Sequence, residues 1–260
     1  MTTSPSLSRS SEDVDAVLAH EKSARLRNLI GTGLVALFVL ACLWLTETLN
    51  GPRLAEGLPA IGVILGEMVP PDFTRWQRWL SPLLDTLAMS VAGTALAVAL
   101  SLPLGFLAAQ NTTPNTTTYH IARLILNILR SIPELIMGII FVAAVGFGML
   151  PGVLALGLHS VGMVGKFFAE ATGASKLQVI QSSVFPQVFP QFGDVTMYRW
   201  EYNFRASTVM GMVGASGIGT ELVGSLRLLD YPQVGAILLV ILGAVTLVDL
   251  LSTRLRRAFK

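Results

Sequence analysis

The chain is predicted to be an all-α, polytopic membrane protein of about six transmembrane helices, and three observations carry that prediction. Its 260 residues are 52% hydrophobic and only 13% charged, about half the charged share of a soluble domain. Its mean hydropathy is +0.64. Its apolar residues gather in runs close to the roughly twenty needed to cross a bilayer, at about 1.5 Å of rise per residue. Apolar surface in that proportion faces lipid, which displaces the alternative of one packed aqueous core.

Each span has its own signal. Leu29 to Thr46 holds no charge and follows Arg25 and Arg27. The run exceeds the core of a secretory signal, so a retained anchor is expected. Residues 1–24, rich in Ser and mixed charge, are expected to be a mobile cytoplasmic tail ahead of a transmembrane domain over 25–260. Thr86 to Ala109 is the second span, with Pro103 kinking its end. Leu135 to Gly165 is charge-free and too long for one helix. Pro151-Gly152 within it is where a hairpin should bend. Two spans fit there if the first begins near Ile121 and takes Arg123, Asn127 and Arg130 into its opening turns. Spans over Phe192 to Val213 and Tyr231 to Val248 complete six, with five as the alternative count.

Basic residues in short loops mark the cytoplasmic side. Lys22, Arg25 and Arg27 precede the first span, and Arg254, Arg256, Arg257 and Lys260 follow the last. Both termini then lie inside, which requires an even number of crossings and favours six. The segment from Leu49 to Asp85 falls outside, and the stretch 166–190 falls inside.

Composition also excludes functions. The net charge is +2, and the basic residues flank apolar runs instead of forming a patch with aromatics, so nucleic acid is not the partner. The single cysteine, Cys42, permits no intrachain disulfide. No G-x-x-x-x-G-K-[ST] motif is present, so the chain carries no cofactor site of its own. If transport is driven by ATP, a partner ATPase must bind the ATP and Mg.

Three groups of residues stand out from the apolar background. The first is a polar island in the inside-facing stretch, Thr172-Gly173-Ala174-Ser175-Lys176-Leu177-Gln178, closed by Pro186. A loop that only reverses the chain needs a few turn residues. Helix formers between Gly173 and Pro186 form a short helix across the membrane face, a knob for a soluble partner. Gly173 admits close backbone approach, and Pro186 is expected to end that helix before the next span. An ordinary interfacial amphipathic helix is the plainer reading.

The second group is Gly214-Ala215-Ser216-Gly217, which looks like the serine motif of intramembrane rhomboid proteases. A serine nucleophile needs a base in hydrogen-bond reach, and no histidine follows Ser216. The glycines at 211, 214, 217 and 219 read better as a close-packed helix end and an irregular turn. The third group is charge inside spans, which is expensive in hydrocarbon and so faces a cavity or a partner. Arg130, Ser131 and Glu134 form one set; Arg199, Glu201 and Arg205 form the other. They line a path for an anionic solute, or they are self-neutralising structural pairs at four-residue spacing.

On these residues the chain resembles the permease subunit of phosphonate ABC importers. The stretches that carry the resemblance are Leu102-Pro103-Leu104-Gly105 through Asn111-Thr112-Thr113-Pro114-Asn115, Arg130-Ser131-Ile132-Pro133-Glu134, Phe141 to Gly146, Tyr198-Arg199 with Arg205-Ala206, Gly211 to Gly219, and Ile237 to Leu242 leading into Asp249. Together they span most of residues 80–258. The resemblance implies the type I, MetI-like architecture in the inner membrane. It implies a homodimer around one central path, two cytoplasmic ATP-binding subunits, and an extracytoplasmic solute-binding protein. Such a permease does no chemistry. The expected solute is a phosphonate-like oxyanion, with phosphate, phosphite or an organic anion as alternatives in the same architecture. A stand-alone channel and a hydrolase using Ser216 are the alternatives of other classes.

The resemblance assigns contact with the ATPase to Glu170, Ala171, Gly173, Ala174, Lys176, Leu177 and Pro186, and it has one departure. The family's loop places the Glu of a Glu-Ala pair six residues before the Gly, where this chain has Phe167. Phe168-Ala169-Glu170-Ala171 instead runs straight into Thr172-Gly173. About four helical turns, at ~3.6 residues each, are missing between Ala171 and Thr172, and weak coupling to the ATPase is the expected consequence.

Overall fold

The structure is a computed structural model that describes residues 6–48, 50–110, 112–171 and 185–258. Among these residues every regular element is helical. The chain divides into two compact units, Met1–Val63 and Ile64–Lys260.

The first unit holds α1 (Ser6–Leu45) and most of α2 (Gly51–Glu67). The segment Arg27–Leu45 of α1 is long and apolar enough to cross a membrane, and none of it is buried. α1 also takes in residues 6–24, where the sequence reading placed a tail. The turn into α2 puts Glu47 in the left-handed region and pairs it with Arg53. Asn50 accepts a hydrogen bond from the Arg53 amide at 3.3 Å.

The second unit holds α3 (Trp76–Ala108), α4 (Thr116–Ser131), α5 (Glu134–Val145), α6 (Met149–Ala171), α7 (Phe185–Met210), a 3₁₀ turn over Gly211–Val213, α8 (Ile218–Arg227) and α9 (Tyr231–Ala258). Asn115 caps α4, its side chain accepting from the Thr118 amide at 2.7 Å. α4 and α5 meet at 89°, and the segment Pro190–Val213 meets α8 at 46°. Four helices in the chain can cross a membrane by length and composition, or up to six if each bent pair counts as one span.

α6 is the axis of this unit, in contact with α3, α4, α5 and α7. Small residues on it let its neighbours come close. Ala155 and Val161 are fully buried, and Leu156 is 1% exposed. At Gly162 the α4 backbone itself intrudes: a Cβ there would lie 2.6 Å from both the Arg130 amide nitrogen and the Leu126 carbonyl oxygen. Backbone atoms cannot swing aside as a side chain can. Gly162→Ala is therefore expected to destabilise the protein by about 1–3 kcal/mol, measured as a lowered thermal midpoint of the purified protein in detergent.

Two expectations about boundaries are corrected. The α5–α6 turn lies at Gly146-Phe147-Gly148, not at Pro151-Gly152. Gly146 (φ +90°) and Gly148 (φ +134°) adopt conformations that disfavour a side chain. Pro151 sits in the first turn of α6, where its missing N–H is not needed. Pro186 lies in the first turn of α7, while the short helix expected before it falls on residues outside those described. α3 begins ten residues before Thr86 and runs through Pro103 to Ala108. It tolerates Asp85 because that carboxylate accepts a hydrogen bond from Ser216 at 2.7 Å.

Candidate functional site

Seven polar side chains from α3, α5, α6 and α7 meet inside the second unit, where the surrounding helices are otherwise apolar. Ser160 is at the centre. Its hydroxyl accepts a hydrogen bond from Arg199 Nη2 at 2.8 Å and donates to Asn203 Oδ1 at 2.9 Å. Asn203 Nδ2 donates onward to Thr94 Oγ1 at 2.9 Å, and Thr94 donates to the Ser90 carbonyl at 2.7 Å. Arg199 is 1% exposed, and Ser160 and Asn203 are fully buried. Spacing explains the convergence: Arg199, Tyr202 and Asn203 lie three and four residues apart on α7 and so share a face.

A second branch starts at the Arg199 guanidinium, which lies 4.4 Å from the centre of the Tyr202 ring, a cation–π distance. Tyr202 donates its hydroxyl to Glu134 Oε1 at 2.8 Å. The other carboxylate oxygen, Oε2, lies 3.5 Å from His159 Nε2, and His159 Nδ1 lies 3.0 Å from the Ile132 carbonyl. Both ring nitrogens thus lie beside oxygen atoms of α5 and the turn before it. One donor has no acceptor at all: Arg199 Nε is buried without a hydrogen-bond partner.

The residues singled out in sequence separate sharply here. Arg130 and Ser131 are exposed at the end of α4, with the Ser131 hydroxyl bonded to the Asn127 carbonyl at 2.6 Å. Arg130 and Glu134 do not form the four-residue pair considered for them, because the chain breaks at Ile132-Pro133 and turns by 89°. Glu134 pairs with His159 and Tyr202 instead. Glu201 and Arg205 do pair across one helical turn, and Arg256 of α9 adds a second cation to Glu201 at 3.0 Å. That trio ties α7 to α9. Arg199, two residues away, points to α6.

Thr94, His159, Ser160, Tyr202 and Asn203 were missed in sequence. The available signal was that His159-Ser160 is the strongest polar interruption of the charge-free run from Leu135 to Gly165. Glu170 and Ala171 close α6 and Pro186 opens α7, so the polar island joins those two helix ends. Gly173, Ala174, Lys176 and Leu177 lie outside the described residues.

Ser216 belongs to a different structure, the turn between α7 and α8. Its backbone is in the left-handed region (φ +63°), and its hydroxyl donates to Asp85. The Ile218 amide donates to Thr86 Oγ1 at 2.9 Å. These contacts lock the turn onto α3, and the geometry gives the hydrolase reading no support. The turn is the irregular helix end expected from its glycines: a Cβ on Gly211 would lie 2.6 Å from the Thr220 amide nitrogen.

Residues 101–171 match the family of binding-protein-dependent transport system inner membrane components. The phosphite transport system permease protein PtxC of Stutzerimonas stutzeri is 61% identical over 236 positions, covering 85% of this chain and 86% of that protein. The phosphate-import permease protein PhnE of Mycolicibacterium smegmatis is 40% identical over 218 positions, covering 78% of this chain and 41% of that protein. The MetNI methionine ABC transporter in an inward-facing conformation superposes with a TM-score of 0.59 at 20% identity, covering 72% of this chain and 99% of that one.

A helical, multi-pass membrane unit of MetI-like fold with relatives named as permeases across most of its length has one reading: the chain belongs to the phosphonate-type family of ABC importer permeases, the membrane subunits that work beside a separate ATPase.

Proposed function

We propose that this chain is the membrane subunit of an ATP-driven importer for a small phosphorus oxyanion, with phosphite first and phosphonate or phosphate as the alternatives. The observation that carries the proposal is the 61% identity to a phosphite permease over 85% of the chain, against 40% to a phosphate permease. The solute crosses by alternating access. Two nucleotide-binding subunits close on ATP, and the permease follows because nucleotide favours one of its two arrangements. An extracytoplasmic binding protein delivers the ligand.

In this reading the permease is a homodimer with both termini in the cytoplasm. The basic residues before the first span and after the last support that orientation. The ATPase contact falls on the island around Gly173, between the ends of α6 and α7. The resemblance implies that about four helical turns of the family's loop are absent there, between Ala171 and Thr172.

Uptake decides the solute. Cells lacking their own phosphite uptake, supplied with this permease, its ATPase and its binding protein, are expected to accumulate radiolabelled phosphite. Unlabelled phosphite should compete better than methylphosphonate or phosphate. Stronger competition by methylphosphonate would reassign the solute to phosphonates, and uptake of none of the three would sink the proposal.

A further inference from the structure

We propose that Arg199 and Ser160 form an oxyanion subsite inside the permease, closed in the conformation seen here, which holds the phosphorus oxyanion during transfer. The proposal rests on the importer reading and adds a place of recognition within the membrane subunit.

The subsite emerges by comparing what each charged residue in the spans already has. Both carboxylate oxygens of Glu201 are engaged by Arg205 and Arg256. Both oxygens of Glu134 face Tyr202 and His159. Arg130 is on the exposed side of α4. Among the described charged residues, Arg199 alone has a buried side-chain nitrogen without a hydrogen-bond partner. Its Nη2 reaches Ser160, its face lies over Tyr202, and its Nε has nothing. A guanidinium buried only for structure is expected to have a carboxylate in contact, since an enclosed charge without one is costly. Among the described residues no carboxylate forms an ion pair with Arg199 within 4.0 Å; Glu134 attracts it from farther off and is joined to it through Tyr202.

The missing partner has a definable chemistry. The planar guanidinium offers its hydrogens in a fixed fork that matches two oxygens of one tetrahedral oxyanion. Ser160 sits beside it with a rotatable hydroxyl that now donates to Asn203. It can turn to an incoming anion while Asn203 keeps Thr94. Arg199 is 1% exposed, so the anion reaches it only when α6 and α7 part. That makes occupancy of the subsite a property of one transport state.

Equilibrium binding of radiolabelled phosphite tests this in the complete permease–ATPase complex without binding protein, with and without trapped nucleotide. A maltoside detergent removes lipid phosphate as a competing source. The wild-type complex is expected to retain phosphite in at least one nucleotide state. Arg199→Gln should weaken retention on the order of tenfold to hundredfold, the loss of a charge-assisted pair of bonds. Arg199→Lys should recover only part of it, because a point charge cannot present the fork. Ser160→Ala, which leaves the charge in place, should weaken binding several-fold and so keeps the test open if Arg199→Gln does not fold. Thermal midpoints of the same samples separate affinity from folding. Equal retention by wild type, Arg199→Gln and Ser160→Ala would overturn the subsite, as would no retention by the wild-type complex in any nucleotide state. Either result leaves the importer reading standing if the uptake experiment succeeds; failure of uptake removes both.

Discussion

A reconstituted complex of this chain with its ATPase subunits is expected to hydrolyse ATP at little above its basal rate when loaded binding protein is added. Inserting about fifteen helix-forming residues between Ala171 and Thr172, with the Glu-Ala pair of the family's loop, should restore stimulation. The physical reason is mechanical continuity. A signal from the solute side reaches the ATPases only through a rigid element that both can bias, and typical coupling energies of about 1–3 kcal/mol correspond to roughly 5- to 150-fold. If the island lacks about four turns of the family's coupling helix, as the resemblance implies, it presents a shorter lever to the ATPase. The effect should therefore fall in that range. Full stimulation of the chain as it stands would show that the shortened island couples unaided, and the proposal of a lost lever would fall.

Removing both cations from Glu201 is expected to cost far more than removing either one. The Glu201 side chain is only 9% exposed, whereas those of Arg205 and Arg256 are 53% and 26% exposed. Arg205→Ala alone leaves Arg256 at 3.0 Å on the carboxylate, so its effect should stay under about 1 kcal/mol. Arg256→Ala alone leaves the helical-turn pair and should cost about 1–2 kcal/mol. The double variant strands an enclosed carboxylate, a situation worth about 3–5 kcal/mol. The sum of the singles then falls short of the pair, the signature of a shared partner. Thermal unfolding of the four proteins in detergent measures the cycle. Strict additivity would mean that the two arginines act independently and that Glu201 does not join α7 to α9.

Much of the fold was legible because lipid imposes a simple rule on sequence: spans must be apolar over a fixed length. That rule found the apolar stretches of α1, α3, α6, α7 and α9. It failed where chain geometry is decided by contacts that composition does not register. α3 extends past Asp85 because Ser216, far away in sequence, takes up the carboxylate. The α5–α6 turn was drawn to Pro151, which a helix accepts in its first turn, and away from Gly146 and Gly148, whose backbone conformations make the turn. α2, with all its residues exposed, gave too weak a pattern to notice.

The candidate site shows the same division. Its charged members announced themselves, since Arg199 and Glu134 stand out in apolar surroundings. Their partners did not. Ser160, Asn203 and Thr94 are small neutral residues whose meaning appears only when α3, α6 and α7 are brought together. Spacing did identify Glu201 with Arg205 but could not supply Arg256, which arrives from a helix fifty-five residues on. Spacing also offered Arg130 with Glu134, a pairing undone by the break at Pro133.

The polar cluster constrains how the protein is made. Helices enter the bilayer in chain order, and Thr94, Glu134, His159 and Ser160 all precede α7. Until α7 arrives with Arg199, Tyr202 and Asn203, Ser160 lacks both of its partners and Glu134 and Thr94 each lack one, while His159 already has Glu134 and the Ile132 carbonyl. Synthesis thus passes through a stage in which half-finished helices hold exposed acceptors in oil. At that stage the nascent protein should lean on the insertion machinery, and a stall before residue 199 should leave fragments marked for proteolysis.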